Sequence, residues 1–204
     1  MPRQVDHEER RRRIAEAVCT LIARSGMEAV SLRDVAAQAE VSMGAVQRSF
    51  RTKEDMLLFA LEHLTQYVSE RAEQRIAATS TPQAAATLLS HTLAELALLE
   101  EESRRQAHVW LAFVAHAPAS ERLAAVLKDT YAKLHDLLVR LLRYGQDTGE
   151  VAADLDAARE AHALLALADG LTAHVVAGHH SSATALAVLQ RQVDQVLVEP
   201  PGNG

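Results

Sequence analysis

An all-α fold is predicted by three features of the chain. Ala and Leu dominate while Gly and Pro are scarce, and only seven of the 204 residues are Phe, Trp or Tyr. Strands favour the β-branched and aromatic side chains that this composition lacks, whereas Ala and Leu are strong helix formers. Apolar residues recur at three- and four-residue intervals along the sequence, and cap and stop residues divide this pattern into about nine helices. No segment reads as a strand and no internal repeat is present.

From Glu8 to Arg24, the residues Ile14, Ala17, Val18, Leu21 and Ile22 lie on one face of an amphipathic helix, and Gly26 ends it. Ser31-Leu-Arg-Asp34 reads as a capping box opening a short helix with Leu32, Val35 and Ala36 inward. A tight turn at 39–41 leads to a helix capped by Ser42 and ending near Phe50. Thr52-Lys-Glu-Asp55 caps a long helix that runs to about residue 78. Ser80-Thr-Pro82 breaks the pattern and starts the next helix, and the stretch 97–105 reads as a polar corner. An apolar helix through Trp110 and Phe113 is stopped by Pro118. Residues 119–147 form a long periodic segment ended by Gly145 and Gly149. The stretch 154–158 supplies an N-cap for a helix to about Gly178, after which Leu186, Leu189, Val193 and Val196 recur at helical spacing. The tail 199–204 is expected to be disordered.

The net charge of -6 conceals a split. Residues 1–53 carry ten Lys/Arg against seven Asp/Glu, while residues 54–204 carry eleven against twenty. A basic head on an acidic body suggests a polyanion as the partner of the head; the competing explanation is that Arg10 to Arg13 form a solvated helix start. The single cysteine, Cys19, excludes an intramolecular disulfide and fits a reducing compartment. No apolar run reaches the roughly 18 residues that span a bilayer, and the first residues lack the apolar stretch of a signal peptide. A cytoplasmic protein with no membrane association is expected.

Three helices at the front, the second and third joined by a short turn, have the layout of a helix-turn-helix DNA reader. The helix beginning at Ser42 would then enter the major groove of double-stranded DNA. Gly44 in its first turn costs helix stability, but it lets the backbone approach either DNA or the preceding helix closely. The N–H groups at the helix starts near Ser31 and Thr52 are expected to meet phosphates. Arg48 and Lys53 add charge along the backbone, and Gln47 can bond a phosphate or read adenine. The expected DNA contacts are Ser31, Arg33, Ser42, Met43, Gly44, Ala45, Gln47, Arg48, Ser49 and Lys53. Phe50 is expected to anchor the reading helix in the core.

Positions 13–57 resemble the TetR family of one-component transcriptional regulators. The resemblance rests on Gly26, Ser31, Val35-Ala36, Ala39, Val41-Ser42, Gly44, Phe50 and Lys53-Glu54. Three positions depart from the pattern: Glu40 stands where the family usually has Gly, Gln47 where it has an aromatic, and Ser49 where it often has His or Tyr. Residues 82–198, with the stretches 108–113 and 164–171, are similar to the effector half of the betaine-pathway repressor branch. The resemblance implies a ligand pocket inside the body and a homodimer made by the last two helices. The expected domains are 1–53 for DNA, joined by the helix 52–78 to an effector-binding and dimerisation domain at 54–198. The implied function is a ligand-responsive regulator, a repressor released from a palindromic operator by a small aliphatic or amphipathic molecule. Leu164, Leu171, Val175, Leu186, Leu189, Val193 and Val196 are expected at the dimer interface, and Trp110, Phe113, Tyr131 and Asp169 around the effector. Asp169, in an otherwise apolar helix, needs a partner: a neighbouring helix or a partner subunit, or else the ligand. The few aromatics disfavour large planar ligands and leave room for a cationic head near Trp110 or Asp169.

The rival functions are an enzyme and a helical adaptor that binds only protein. No nucleophile elbow, phosphate loop or carboxylate pair stands out, so no catalytic residue and no cofactor is expected. The ten histidines show neither HExxH nor an i, i+4 pair on one helix face, and the spacing in residues 174–180 does not match a metal motif, so no metal is expected. Cys19 reads as a small core residue.

Overall fold

The computed structural model describes residues 2–198, with side chains from His7 onward; the expected tail at 199–204 lies outside the described residues. Among these residues the chain forms nine α-helices: α1 (Pro2–Ser25), α2 (Leu32–Gln38), α3 (Met43–Ser49), α4 (Lys53–Ala77), α5 (Ala85–Leu96), α6 (Arg104–His116), α7 (Glu121–Thr148), α8 (Ala157–Val176) and α9 (Ser182–Val196). Short 3-10 turns precede and follow α6. The β-type pairing among the described residues is an isolated bridge between Val151 and Leu197.

The chain divides into two compact units, Met1–Tyr67 with Arg105–Leu127, and Val68–Arg104 with Lys128–Gly204. The division differs from a boundary at residue 53, because α6 and the start of α7 join the front helices. In this first unit α1 packs on α2 and α3, and α2 on α3. Its buried side chains include Ile14, Val18, Ile22, Val35, Val46, Phe50, Met56, Leu61 and Phe113. Polar links hold α6 and α7 to the front helices: Arg105 Nη1 donates to Thr20 Oγ1 at 3.5 Å, and Ser120 Oγ donates to Glu54 Oε1 at 2.7 Å. Arg122 pairs with Asp55, whose carboxyl is held below its ordinary range chiefly by that hydrogen bond.

In the second unit α5, α8 and α9 pack on one another. Leu89 and Leu93 of α5, Leu138 and Leu142 of α7, Leu164 and Leu171 of α8, and Leu189 and Val193 of α9 share one buried cluster. Two helix ends differ from the sequence expectation. Helix α5 begins at Ala85, and neither Ser80 nor Thr81 caps it. The carboxylate of Glu150, 65 residues away, accepts from the N–H groups of Ala85 (3.0 Å) and Ala86 (3.2 Å). Helix α7 runs through Gly145 to Thr148, and Gly149, at φ +77°, terminates it. Gly145 has a packing role instead: a Cβ there would lie 2.5 Å from Val151 Cγ2 and 3.1 Å from Ala85 Cβ.

The stretch 97–105 is more than a solvated corner. Glu95, only 2 % exposed, accepts from Arg71 Nε at 2.9 Å and Arg75 Nε at 3.0 Å. The same two guanidinium groups, one turn apart on α4, also hold Glu100. Two arginines clamping two carboxylates satisfy a charge that burial would otherwise penalise heavily.

Candidate nucleic-acid interface

The reading helix is set by caps that act over three residues. Ser42 Oγ accepts from Ala45 N at 3.2 Å, and Phe50, with its extended backbone, ends the helix by donating its N–H to Val46 O. Ser31 Oγ accepts from Asp34 N and Thr52 Oγ1 from Asp55 N, so α2 and α4 start as expected. Each of these first turns also contains acids: Asp34 in α2, Glu54 and Asp55 in α4. That negative charge opposes anion binding at these helix ends, and the neighbouring cations Arg33 and Lys53 are both exposed.

The turn between α2 and α3 is a Schellman motif. Val41 N donates to Ala36 O and Glu40 N to Ala37 O, with Glu40 at φ +53°. Glu40 thus holds the left-handed conformation that usually falls to glycine. The arginine run of α1 is partly structural. Arg13 Nη2 donates to Ala39 O at 2.8 Å, fixing this turn, and the Arg11 guanidinium lies 5.0 Å from the Phe50 ring centre and 4.2 Å from that of Phe59. The buried Phe50 itself packs against Phe59 of α4, with ring centres 5.4 Å apart. Its anchoring role therefore involves α4 as well as α1.

Exposure sorts the expected DNA contacts. Ser31, Arg33, Ser42, Met43, Gln47, Arg48 and Lys53 are exposed, and Met43 is 49 % exposed although it is a large apolar side chain. Ala45 is a correction: its methyl group is buried, and the helical period turns it inward with Val46. Ser49 is half-buried, and its hydroxyl donates to Ala45 O at 2.9 Å. Gly44 has an open surrounding. A Cβ there would meet Arg48 Nη1 at 3.3 Å and nothing from α2, so close packing on the preceding helix does not explain the glycine.

The expected effector residues fall in separate units. Trp110 and Phe113 belong to the first, where both are buried. In the second unit, Tyr131 donates to Asp169 Oδ2 at 2.5 Å. Burial, followed by this hydrogen bond, pushes the Tyr131 phenol well above its ordinary value. Asp169 thus has the neighbouring-helix partner its position demands. Sequence reasoning missed Gln106, which is buried with its Oε1 unpartnered. It lines a cavity of about 90 Å³ with Cys19, His63, Tyr67, Arg105 and Val109, all within the first unit. Burial raises the Cys19 thiol to about 11, as suits an inert core residue.

The expected dimer residues turn out differently. Leu164, Leu171, Val175, Leu189, Val193 and Val196 are all buried in the core of their own unit, and Leu186 packs against it partly buried. An apolar stripe shows that a helix face is covered, and here α5 and α7 cover it. The outward positions of α8 and α9 include Ala163, Ala166, Gly170, Ala187 and Val188, the last 41 % exposed.

A three-helix head with an exposed, capped recognition helix defines a helix-turn-helix DNA-binding regulator. The comparisons with known proteins agree. Residues 14–59 match the bacterial regulatory proteins of the TetR family, and residues 85–198 match the C-terminal part of BetI-type transcriptional repressors. The chain belongs to the TetR family. The transcriptional regulator PksA of Bacillus subtilis is 32% identical over 180 residues, covering 86% of this chain and 83% of that protein. Among solved structures, a transcriptional regulator from Rhodococcus sp. Rha1 has a TM-score of 0.78 at 29% identity, covering 94% of this chain and 99% of the other. A regulator from Saccharomonospora viridis in complex with choline has a TM-score of 0.81 at 28% identity, covering 95% and 100%. Among the described residues no helix is long and apolar enough to cross a membrane.

Proposed function

We propose that this DNA-binding transcriptional regulator acts as a homodimeric repressor on a palindromic operator, with a small molecule releasing it. The observation that carries the reading is the outward first turn of α3, where exposed Met43, Gln47 and Arg48 surround a glycine with no packing duty. In the groove, Gln47 and Met43 meet base edges, and Arg33, Arg48 and Lys53 meet phosphates. Arg48→Ala and Lys53→Ala should each weaken binding to all sequences and flatten the salt slope by about one unit. Fluorescence anisotropy on duplex fragments selected from the source genome measures this. Full-strength binding by the double variant would remove α3 as the reader.

We assign DNA binding to the front helices, residues 1–53, and effector binding and dimerisation to 54–198; α4 connects the two tasks. No catalytic role is assigned, in keeping with relatives that are transcriptional regulators. Dimer contact is assigned to the outward faces of α8 and α9, since the inward faces are occupied. Val188→Glu places a charge on an exposed position and leaves the core intact. It should give monomers in sedimentation and poor operator affinity; an unchanged dimer would put the interface elsewhere.

For the effector, the choline held by the regulator from S. viridis supports a small cationic or amphipathic ligand. Each unit offers its own candidate site: Trp110 and Phe113 in the first, with cation–π attraction at the indole, and the Tyr131–Asp169 pair in the second. The unpartnered Gln106 oxygen adds a polar anchor in the first unit. Thermal shift with choline and related amines, then Trp110→Ala and Asp169→Asn in the same assay, tests the assignment. A ligand that displaces DNA and acts equally on the parent and both variants would refute it.

A further inference from the structure

The C-terminus of α8 ends in a second Schellman motif. Gly178, at φ +74°, donates to Val175 O, and His179 N donates to His174 O at 2.9 Å. The N–H of His180 also reaches His174 O, at 3.3 Å. This motif places the side chain three positions before the cap beside the one two positions after it, where an apolar contact is usual. Here both positions hold histidine. The ring centres of His174 and His179 are 5.1 Å apart, those of His174 and His180 5.2 Å, and those of His179 and His180 4.3 Å. Their ligand nitrogens all lie within 4.8 Å of one another.

We propose that His174, His179 and His180 form a binding site for a divalent transition-metal ion of the Zn²⁺, Ni²⁺ or Cu²⁺ class. The donor set is three imidazoles with no carboxylate, which suits these ions and disfavours Mg²⁺ and Ca²⁺. Two imidazoles on one tetrahedral ion, each bonded at about 2.1 Å, have nitrogens roughly 3.4 Å apart. The rings therefore close by rotation about their side-chain torsions, which the exposure of His174 and His179 permits. The backbone needs no movement, since the motif has already fixed the three Cα positions. The carbonyl-rich end of a helix is the negative pole of its dipole, which favours a cation. Three protein ligands leave one position for water or an outside ligand. The ion ties the last turn of α8 to the segment entering α9. Helical spacing rules overlook this set, because they assume that the helix continues between the ligands.

The test is calorimetric titration of the full chain, freed of any affinity tag, with ZnCl₂ and with NiCl₂. We expect one ion per chain with affinity in the micromolar range and a rise in Tm on adding metal. His179→Gln and His180→Gln should each weaken binding by about tenfold or more. His162→Gln should leave it unchanged, although His162 has its own ring neighbour in His135 at 4.1 Å. Circular dichroism confirms that each variant is folded. Absence of binding, or affinity unchanged in the His179→Gln/His180→Gln double variant, overturns the assignment.

Discussion

Replacing Gly44 by alanine separates what the fold needs from what DNA recognition needs. Gly44 has no left-handed backbone to maintain. The one side-chain atom near an added Cβ is Arg48 Nη1 at 3.3 Å, the far end of a flexible, exposed side chain that can move by a few tenths of an ångström. The strain of the substitution is therefore small, while alanine in a helix gains about 0.5–1 kcal/mol over glycine. For a chain of this length that gain corresponds to a Tm increase of about 1–4 °C. Calorimetry or circular dichroism of the free protein should show it. On operator DNA the sign reverses. A methyl group in the first turn of α3 holds the backbone off the groove, and a tenfold loss of affinity, about 1.4 kcal/mol, is expected. A lower Tm would show that the glycine serves the fold after all. A higher Tm with unchanged DNA affinity would refute close approach of this turn to the duplex.

Arg71→Met should cost about 3 kcal/mol in urea unfolding, because buried Glu95 then keeps a single guanidinium partner; adding Glu95→Leu should recover most of the loss. Gly145→Ala should destabilise by about 1–3 kcal/mol, since its Cβ overlaps Val151. Glu150→Gln should cost about 1 kcal/mol at neutral pH by weakening the cap on α5. The N–H of Ala85, more than any other group, lowers the Glu150 carboxyl below its ordinary value. Its contribution is therefore present at neutral pH and lost as pH falls through the folded-state value, so the parent and the variant should converge in stability once the pH lies below that value. Glu40→Gly should raise the urea midpoint slightly, as relief of roughly 1 kcal/mol from the left-handed backbone outweighs the added freedom of the unfolded chain.

What could be read from the sequence was set by short-range chemistry. Ser31, Ser42 and Thr52 cap through hydrogen bonds to the residue three positions on, so their roles follow from spacing alone. The apolar period likewise locates the inward faces of α1, α8 and α9. What covers a face is decided by distant parts of the chain, which local spacing does not report. The stripe through Leu189 and Val193 looked like a subunit contact, yet it packs into the core of its own unit. Glu150 caps a helix 65 residues away and Glu95 meets arginines 20 and 24 positions before it, pairings that no local pattern announces. Ala45 was misplaced for a smaller reason: in a seven-residue helix, one step of the helical period separates the groove face from the core.

Three positions bearing on glycine distinguish the reading head from the body. In the body, Gly145 stands where a Cβ would overlap its neighbours, so residue and need agree. In the head, the need and the residue are uncoupled twice within five positions. Glu40 occupies a conformation that favours glycine, and Gly44 occupies a helix that would gain from alanine. Arg13 holds the strained turn through Ala39 O, and the aromatic packing of Phe50 against Phe59 secures the far end of α3. The helix is thus positioned by its surroundings rather than by its own propensity, which leaves its outer turn free to carry residues that stability alone does not favour. Local departures of this kind are expected where a surface is shaped for a partner. The exposed Met43 beside Gly44 belongs to the same pattern: it adds nothing to the core, and it extends the outer face of α3.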